Sequence, residues 1–133
     1  MSTLTLALMD APYEAAASTT AFRIIAAALE KGINVNVFAY EGAVSLTVRD
    51  QAPHANPVKG TTVAEEDHPT TKDLVGALVE LGRTDPKLTW VNCGLCVDER
   101  GAGNVIDGVK RGSPADFLEM AKAASATIVI PTR

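Results

Sequence analysis

Apolar residues in this chain follow two spacings, and the switches between them divide it into strands and helices. Residues 3–9 (TLTLALM) are a short apolar run closed by Asp10-Ala11-Pro12, which predicts a buried strand running into a loop. From about residue 14 to 30 the period changes: Phe22, Ile25, Ala26 and Leu29 recur at helical spacing, alanine is abundant, and Gly32 is placed to end the helix. Residues 33–40 (INVNVFAY) then alternate, with Ile33, Val35, Val37 and Ala39 on one face. Strand, helix and strand within so short a span predict a βαβ unit with a right-handed crossover.

The stretch from about residue 50 to 69 breaks the pattern. It holds Pro53, Pro57, Pro69, Gly60, both histidines and the acidic run Glu65-Glu66-Asp67, and is expected to be a long loop, either mobile or functional. Residues 70–81 resume a helix, with Leu74, Ala77, Leu78 and Leu81 on one stripe and Gly82 at its end. Asp85-Pro86 makes a turn, and residues 88–92 (LTWVN) read as a central strand holding Trp90 in the core. After a break at residues 101–104, residues 105–111 read as a short helix or strand. Ser113-Pro114-Ala115-Asp116 starts a helix, with serine as N-cap, proline at the first helical position and aspartate at the third. Phe117, Met120, Ala121 and Ala124 would be its buried stripe, and residues 126–130 (ATIVI) the last strand. Alternating strands and helices predict a three-layer α/β domain over residues 1–133, with a mostly parallel sheet of four or five strands. In such sheets reactive groups gather beyond the carboxyl ends of the strands, so the loops at 10–13, 40–44 and 93–100 should share one rim.

Composition narrows the function. Of 133 residues, 47% are hydrophobic and 21% charged, the mixture of a globular chain. Twelve Lys+Arg against sixteen Asp+Glu give a net charge of −4, which argues against direct binding to nucleic acid. No apolar run approaches a membrane span, and the first residues lack the basic start of a signal peptide, so a cytoplasmic location is expected. Aromatic residues are only 5% of the chain, and a core of small side chains gives a weak expectation of self-association.

Asn92-Cys93-Gly94-Leu95-Cys96-Val97-Asp98-Glu99-Arg100-Gly101 is the stretch that advertises chemistry. A thiol becomes a strong nucleophile on ionising, and a strand-to-helix junction favours the thiolate. Arg100 adds positive charge nearby, whereas Asp98 and Glu99 oppose it. The plain alternative is that Cys93 and Cys96 are small apolar fillers beneath the rim. A thioredoxin-type dithiol fits the spacing but not the context, because that motif follows an early strand. A zinc site completed by His54 and His68 matches no common ligand spacing, and no metal or cofactor is expected. Gly101-Ala102-Gly103 is only part of a phosphate-binding signature, and no Gly-x-Ser-x-Gly elbow exists. Gly94, Tyr13 and Tyr40 are candidate binding residues at the rim; the tyrosines otherwise half-bury a ring. His54 and His68 are candidate proton shuttles, or simply solvated loop residues. Asp10 is a candidate helix cap.

Cys93-Gly94-x-Cys96-x-x-x-Arg100-Gly101 resembles the corresponding segment of DsrE/DsrF-like proteins, particularly their YchN-like branch. Leu6-Ala7-Leu8 with Pro12-Tyr13 and Ala16-Ala17, then Phe38-Ala39-Tyr40-Glu41-Gly42-Ala43-Val44, Gly112-Ser113 and the final residues 126–130 are similar in the same order. The resemblance implies a flavodoxin-like subunit of a homo-trimer or hexamer whose cysteine carries sulfur. In the TusD and DsrE branch that cysteine lies eight residues before the glycine of the Arg-Gly pair, the relation of Cys93 to Gly101. Cys96 has a counterpart in the YchN-like members alone. The expectation is therefore a sulfur-relay protein that accepts and donates sulfane sulfur as a persulfide on Cys93, a persulfide carrier with possible sulfurtransferase activity. Its implied partners are sulfur-donor and sulfur-acceptor proteins, a TusA-like carrier among them. Cys93 is expected in an open cleft at a subunit boundary, beside the long loop. The alternatives are a non-catalytic oligomeric binding protein of the same fold and a Cys93/Cys96 dithiol redox protein.

Overall fold

The structure, a computed structural model, describes residues 2–53, 55 and 58–132. Five strands form one parallel sheet: β1 (Thr3–Leu8), β2 (Asn34–Ala39), β3 (Leu88–Cys93), β4 (Val109–Gly112) and β5 (Ala126–Ile130), in the order β4-β3-β2-β1-β5. Helices cover both faces, giving the three-layer α/β arrangement that the alternating pattern predicts and the flavodoxin-like fold that the resemblance implies. Helices α1 (Ala17–Glu30) and α3 (Thr71–Leu81) pack on one face around Leu6, Leu8, Val35, Val37 and Trp90. Helices α4 (Gly94–Arg100) and α5 (Pro114–Ala123) lie on the other, against Phe38, Val91 and Cys93. The chain steps outward from β1 through β2 and β3 to β4, then returns to the far side of β1 as β5. The β1/β5 boundary is therefore the switch point of the sheet, where a crevice is expected beyond the strand ends.

Local signals explain most boundaries. Gly32 takes φ 78°, and the N–H groups of Ile33 and Gly32 return to the carbonyls of Ala28 and Leu29 at 2.9 and 3.0 Å, closing α1 in a Schellman turn. Asp116 accepts the Ser113 backbone N–H at 2.7 Å at the start of α5, with Pro114 as the first helical residue. Helix α1 begins at Ala17 rather than near residue 14, because Tyr13 holds a left-handed φ of 65° and the chain first turns there; Asp10 does not cap it.

Three features depart from the expectation. A 3-10 helix, Glu41–Thr47, follows β2, with Ala43, Val44 and Leu46 fully buried; it is too short to show a helical period. A single-turn helix, α2 (Val63–Glu66), lies within the long loop, where the Thr62 hydroxyl accepts the Glu65 N–H at 3.2 Å. The stripe on α5 is half-buried rather than buried, because the helix lies over a sheet margin whose outer strand, β5, is itself largely exposed.

Candidate functional site

Cys93 ends β3 and is the N-cap of α4, and Cys96 follows one turn into that helix. Alternation along β3 places Val91 and Cys93 on the face covered by α4 and α5, while Trp90 and Asn92 point to the other. The two cysteines share a cluster with Phe38, Val44, Val91, Val97 and Ala102, against which Tyr40, Phe117 and Met120 pack. Cys93 is 4% exposed and Cys96 8%, and both are free thiols. This corrects the expectation of an open cleft: within the subunit the sulfur of Cys93 is roofed by the α4 turn and by the aromatic side chains beside it. The cover is thin, since Gly94 has no side chain and Leu95 points outward, 70% exposed.

The thiols are not in purely apolar surroundings. Glu41 donates its backbone N–H to Cys96 Sγ at 3.1 Å. Burial pushes the Cys96 thiol above its ordinary value; the neighbouring Cys93 and the Glu41 carboxylate act in the same direction, and the Glu41 N–H opposes them. Glu41 itself has a left-handed φ of 51°.

The sequence directs attention to Arg100 as the cation near the thiols, but the fold uses it elsewhere. Arg100 pairs with Glu41 at 3.0 Å and Glu99 at 3.6 Å, and reaches the Cys96 carbonyl rather than a sulfur, at 3.4 Å. Arg111, on β4, is the guanidinium within electrostatic reach of Cys93. It makes a two-pronged pair with Asp98 at 2.8 and 2.7 Å, and this pair holds the Asp98 carboxyl below its usual range. Its contact is with Gly94: a Cβ there would stand 2.7 Å from Arg111 Nε. Arg111 and Glu41 are the site residues that the sequence reading missed. Strand pairing brings Arg111 there: its register partner is Asn92, the residue before Cys93, and from that position its guanidinium reaches Gly94 and Asp98.

Of the remaining candidates, Tyr40 stacks on Phe38 with ring centroids 5.7 Å apart and belongs to the cysteine cluster. Burial first, and then Glu41, raise its phenol above the usual value. Tyr13 is an exposed clasp, its hydroxyl donating to the Pro69 carbonyl at 3.0 Å and tying the long loop to the end of β1. His68 pairs with Glu66 at 3.2 Å within that loop, and among the described residues no contact brings it to the cysteines. His54 lies outside the described residues. A shallow cleft of about 670 Å³ opens at the β1/β5 switch point, lined by Asp10, Glu14, Glu41, Gly42, Arg100 and Thr132 among others. Glu41 joins the two places, with its carboxylate at the cleft and its N–H on Cys96.

Among the described residues, no helix is long and apolar enough to cross a membrane, and no three His, Cys, Asp or Glu residues form a group that could hold a metal ion. The structure is similar to that of the ychN protein from E. coli, with a TM-score of 0.78 and 19% identity over 98% of this chain and 100% of that one. It is also similar to MTH1491 from Methanobacterium thermoautotrophicum, a protein of unknown function, with a TM-score of 0.68 and 10% identity over 96% and 99% of the two chains. No curated protein sequence matches significantly. The profile of the DsrE/DsrF-like family matches residues 3–130, and the chain belongs to that family.

Proposed function

We propose that this protein is a sulfur-relay carrier that holds sulfane sulfur as a persulfide on Cys93. The DsrE-like family is generally associated with sulfur relay. The observation that carries the assignment to Cys93 is its position: it ends β3 and caps α4, with the Arg111 guanidinium against the next residue, Gly94, whereas Cys96 lies a turn further on beneath the Glu41 N–H. The Cys93 thiolate attacks the outer sulfur of a donor persulfide R–S–SH, giving Cys93–S–SH and releasing R–S⁻. An acceptor thiolate then takes that outer sulfur and returns Cys93 as thiolate, with no net oxidation. Access requires local opening of the cover over Cys93, to which Phe117 and Met120 of α5 contribute without being fully buried.

The proposal extends to the assembly and the partners. Leu118 on α5 and Val129 on the edge strand β5, on the face that α5 covers, are exposed apolar residues suited to contact with further copies of the chain. We read the protein as a cytoplasmic homo-oligomer, formed from one domain per subunit, that exchanges sulfur with donor and acceptor proteins. Val129→Asp is expected to shift the sedimenting species toward the monomer; an unchanged assembly would remove this face from the interface.

A second reading is favoured by the packing of both free thiols in one buried cluster, one helical turn apart, as a dithiol redox pair requires. In the relay, Cys96 would instead resolve the persulfide: its thiolate attacks the inner sulfur, forming the Cys93–Cys96 disulfide and releasing HS⁻. Mass spectrometry after incubation with a sulfane-sulfur donor separates these readings. A gain of one sulfur, lost in Cys93→Ser and kept in Cys96→Ser, is expected for the relay. Loss of two hydrogens on mild oxidation without sulfur uptake would indicate the redox pair, and a folded protein with no adduct would indicate a non-catalytic binding protein.

A further inference from the structure

Asp98 and Arg111 join α4 to strand β4 through two parallel hydrogen bonds on the protein surface, both side chains more than half exposed. An exposed pair of this kind contributes little to stability, about 0–1 kcal/mol, so stability does not account for its construction. What it does is fix the plane and position of a guanidinium. That position is against the backbone at the cysteine: Nε, Cζ and Nη2 of Arg111 would lie 2.7, 2.9 and 3.0 Å from a Cβ at Gly94. Gly94 follows Cys93 directly, and Arg111 precedes the strand partner of Cys93. Two covalently remote segments thus bring one cation onto the peptide next to the candidate nucleophile.

We infer that Arg111 is a positioning residue for the chemistry of Cys93: tethered by Asp98 over Gly94, its charge stabilises the anionic sulfur at position 93, as thiolate before transfer and as persulfide anion after it. This rests on the persulfide reading above and adds the group that sets the reactivity of its nucleophile. The other titratable or charged groups around the pair are Cys96, Asp98, Glu99 and Arg100 on α4, Tyr40 and Glu41 after β2, Lys110 on β4 and Asp116 on α5. Arg100 is engaged by Glu41 and Glu99, and Asp116 by Ser113. Arg100 also reaches the Cys96 carbonyl, and Arg111 is the cation that lies against Gly94, the residue directly after Cys93.

The test is the rate of Cys93 alkylation by iodoacetamide as a function of pH, read by mass spectrometry on the intact protein carrying Cys96→Ser. It needs no sulfur donor, so it judges Arg111 separately from the relay, which the donor-loading experiment judges. Arg111→Gln is expected to slow alkylation near neutral pH by about tenfold, because the anionic sulfur that reacts loses the cation beside it. Arg111→Lys, which keeps the charge but loses the fork, is expected to recover part of that rate. An unchanged profile in folded Arg111→Gln overturns the inference. Equal slowing by Arg111→Lys and Arg111→Gln also overturns it, because charge would then not be the cause.

Discussion

Glu41 donates its N–H to Cys96 Sγ at 3.1 Å from a left-handed backbone, φ 51°, that costs a non-glycine residue about 1–2 kcal/mol. Strain of this kind persists where the surroundings over-determine it, and here the Arg100 pair at 3.0 Å holds the same residue. The two ends of Glu41 oppose each other: its N–H favours an anionic Cys96 sulfur and its carboxylate disfavours it. Glu41→Gln keeps the first and removes the second. In a Cys93→Ser background at mildly alkaline pH, Cys96 is expected to alkylate a few-fold faster than with Glu41 present, as read by mass spectrometry. An unaltered rate would mean that the carboxylate does not act on the thiol.

Gly94 and Gly42 are both crowded, with different consequences. A Cβ at Gly42 would meet Ala11 at 2.8 Å from Cβ and 2.9 Å from the backbone nitrogen, and neither can swing away. Gly42→Ala is expected to lower the unfolding free energy in urea by about 1–3 kcal/mol. At Gly94 the obstacle is the end of a flexible arginine, so Gly94→Ala is expected to cost less than about 1 kcal/mol while displacing the Arg111 guanidinium. It should slow Cys93 alkylation, and should add nothing further to Arg111→Gln, since both remove the same contact. Additive slowing in the double variant would show that Gly94 acts by another route.

The elements that periodicity and punctuation specify were legible from the chain: the Gly32 stop, the Ser113-Pro114-Asp116 start and the four apolar strands β1, β2, β3 and β5 appear in place, while β4, Val109–Gly112, overlaps the end of a segment read as a short helix or strand. So was the junction carrying Cys93 and Cys96. What was not legible depends on tertiary pairing. Arg100 is near the cysteines in sequence, but its partners are Glu41 and Glu99; Arg111 arrives across the β3/β4 ladder, and no local pattern marks it. The burial of Cys93 likewise depends on α5 folding back over the sheet. Tyr13 was read as a pocket residue from its place after β1, yet its hydroxyl reaches across to Pro69, a contact that only the loop's return creates.

Alkaline pH should expose the buried titrating groups. Burial raises the Cys96 thiol above 9.0 and the Tyr40 phenol above 10.0, so each loses its proton later in the folded chain than in the unfolded one. The stability they confer is complete below the unfolded values and is lost as pH rises through the folded ones. Urea unfolding from about pH 8 to about pH 10.5 should therefore show a decline beginning near the thiol value and continuing past the phenol value. Cys96→Ala is expected to flatten the first part and Tyr40→Phe the second. Parallel declines in wild type and Cys96→Ala would show that the thiol does not contribute.

Behind Cys93, a buried polar chain fixes the end of β3. Trp90 donates its indole N–H to Asn92 Oδ1 at 3.1 Å, Asn92 donates to Thr47 Oγ1 at 3.0 Å, and the Thr47 hydroxyl donates to the Val44 carbonyl at 3.2 Å. Trp90, Asn92 and Thr47 are all within 2% of complete burial, so water does not replace a lost partner readily. Asn92→Leu orphans the indole N–H and is expected to cost about 1–3 kcal/mol; Thr47→Val orphans an amide N–H of Asn92 and leaves the Val44 carbonyl short, at similar cost. Because the amide orphaned by the second change is removed by the first, the double variant should lose less than the two single losses together. Urea unfolding of the four proteins measures the difference. Simple additivity would show that the bonds act independently, and that the residue preceding Cys93 is held by packing rather than by this chain of donors.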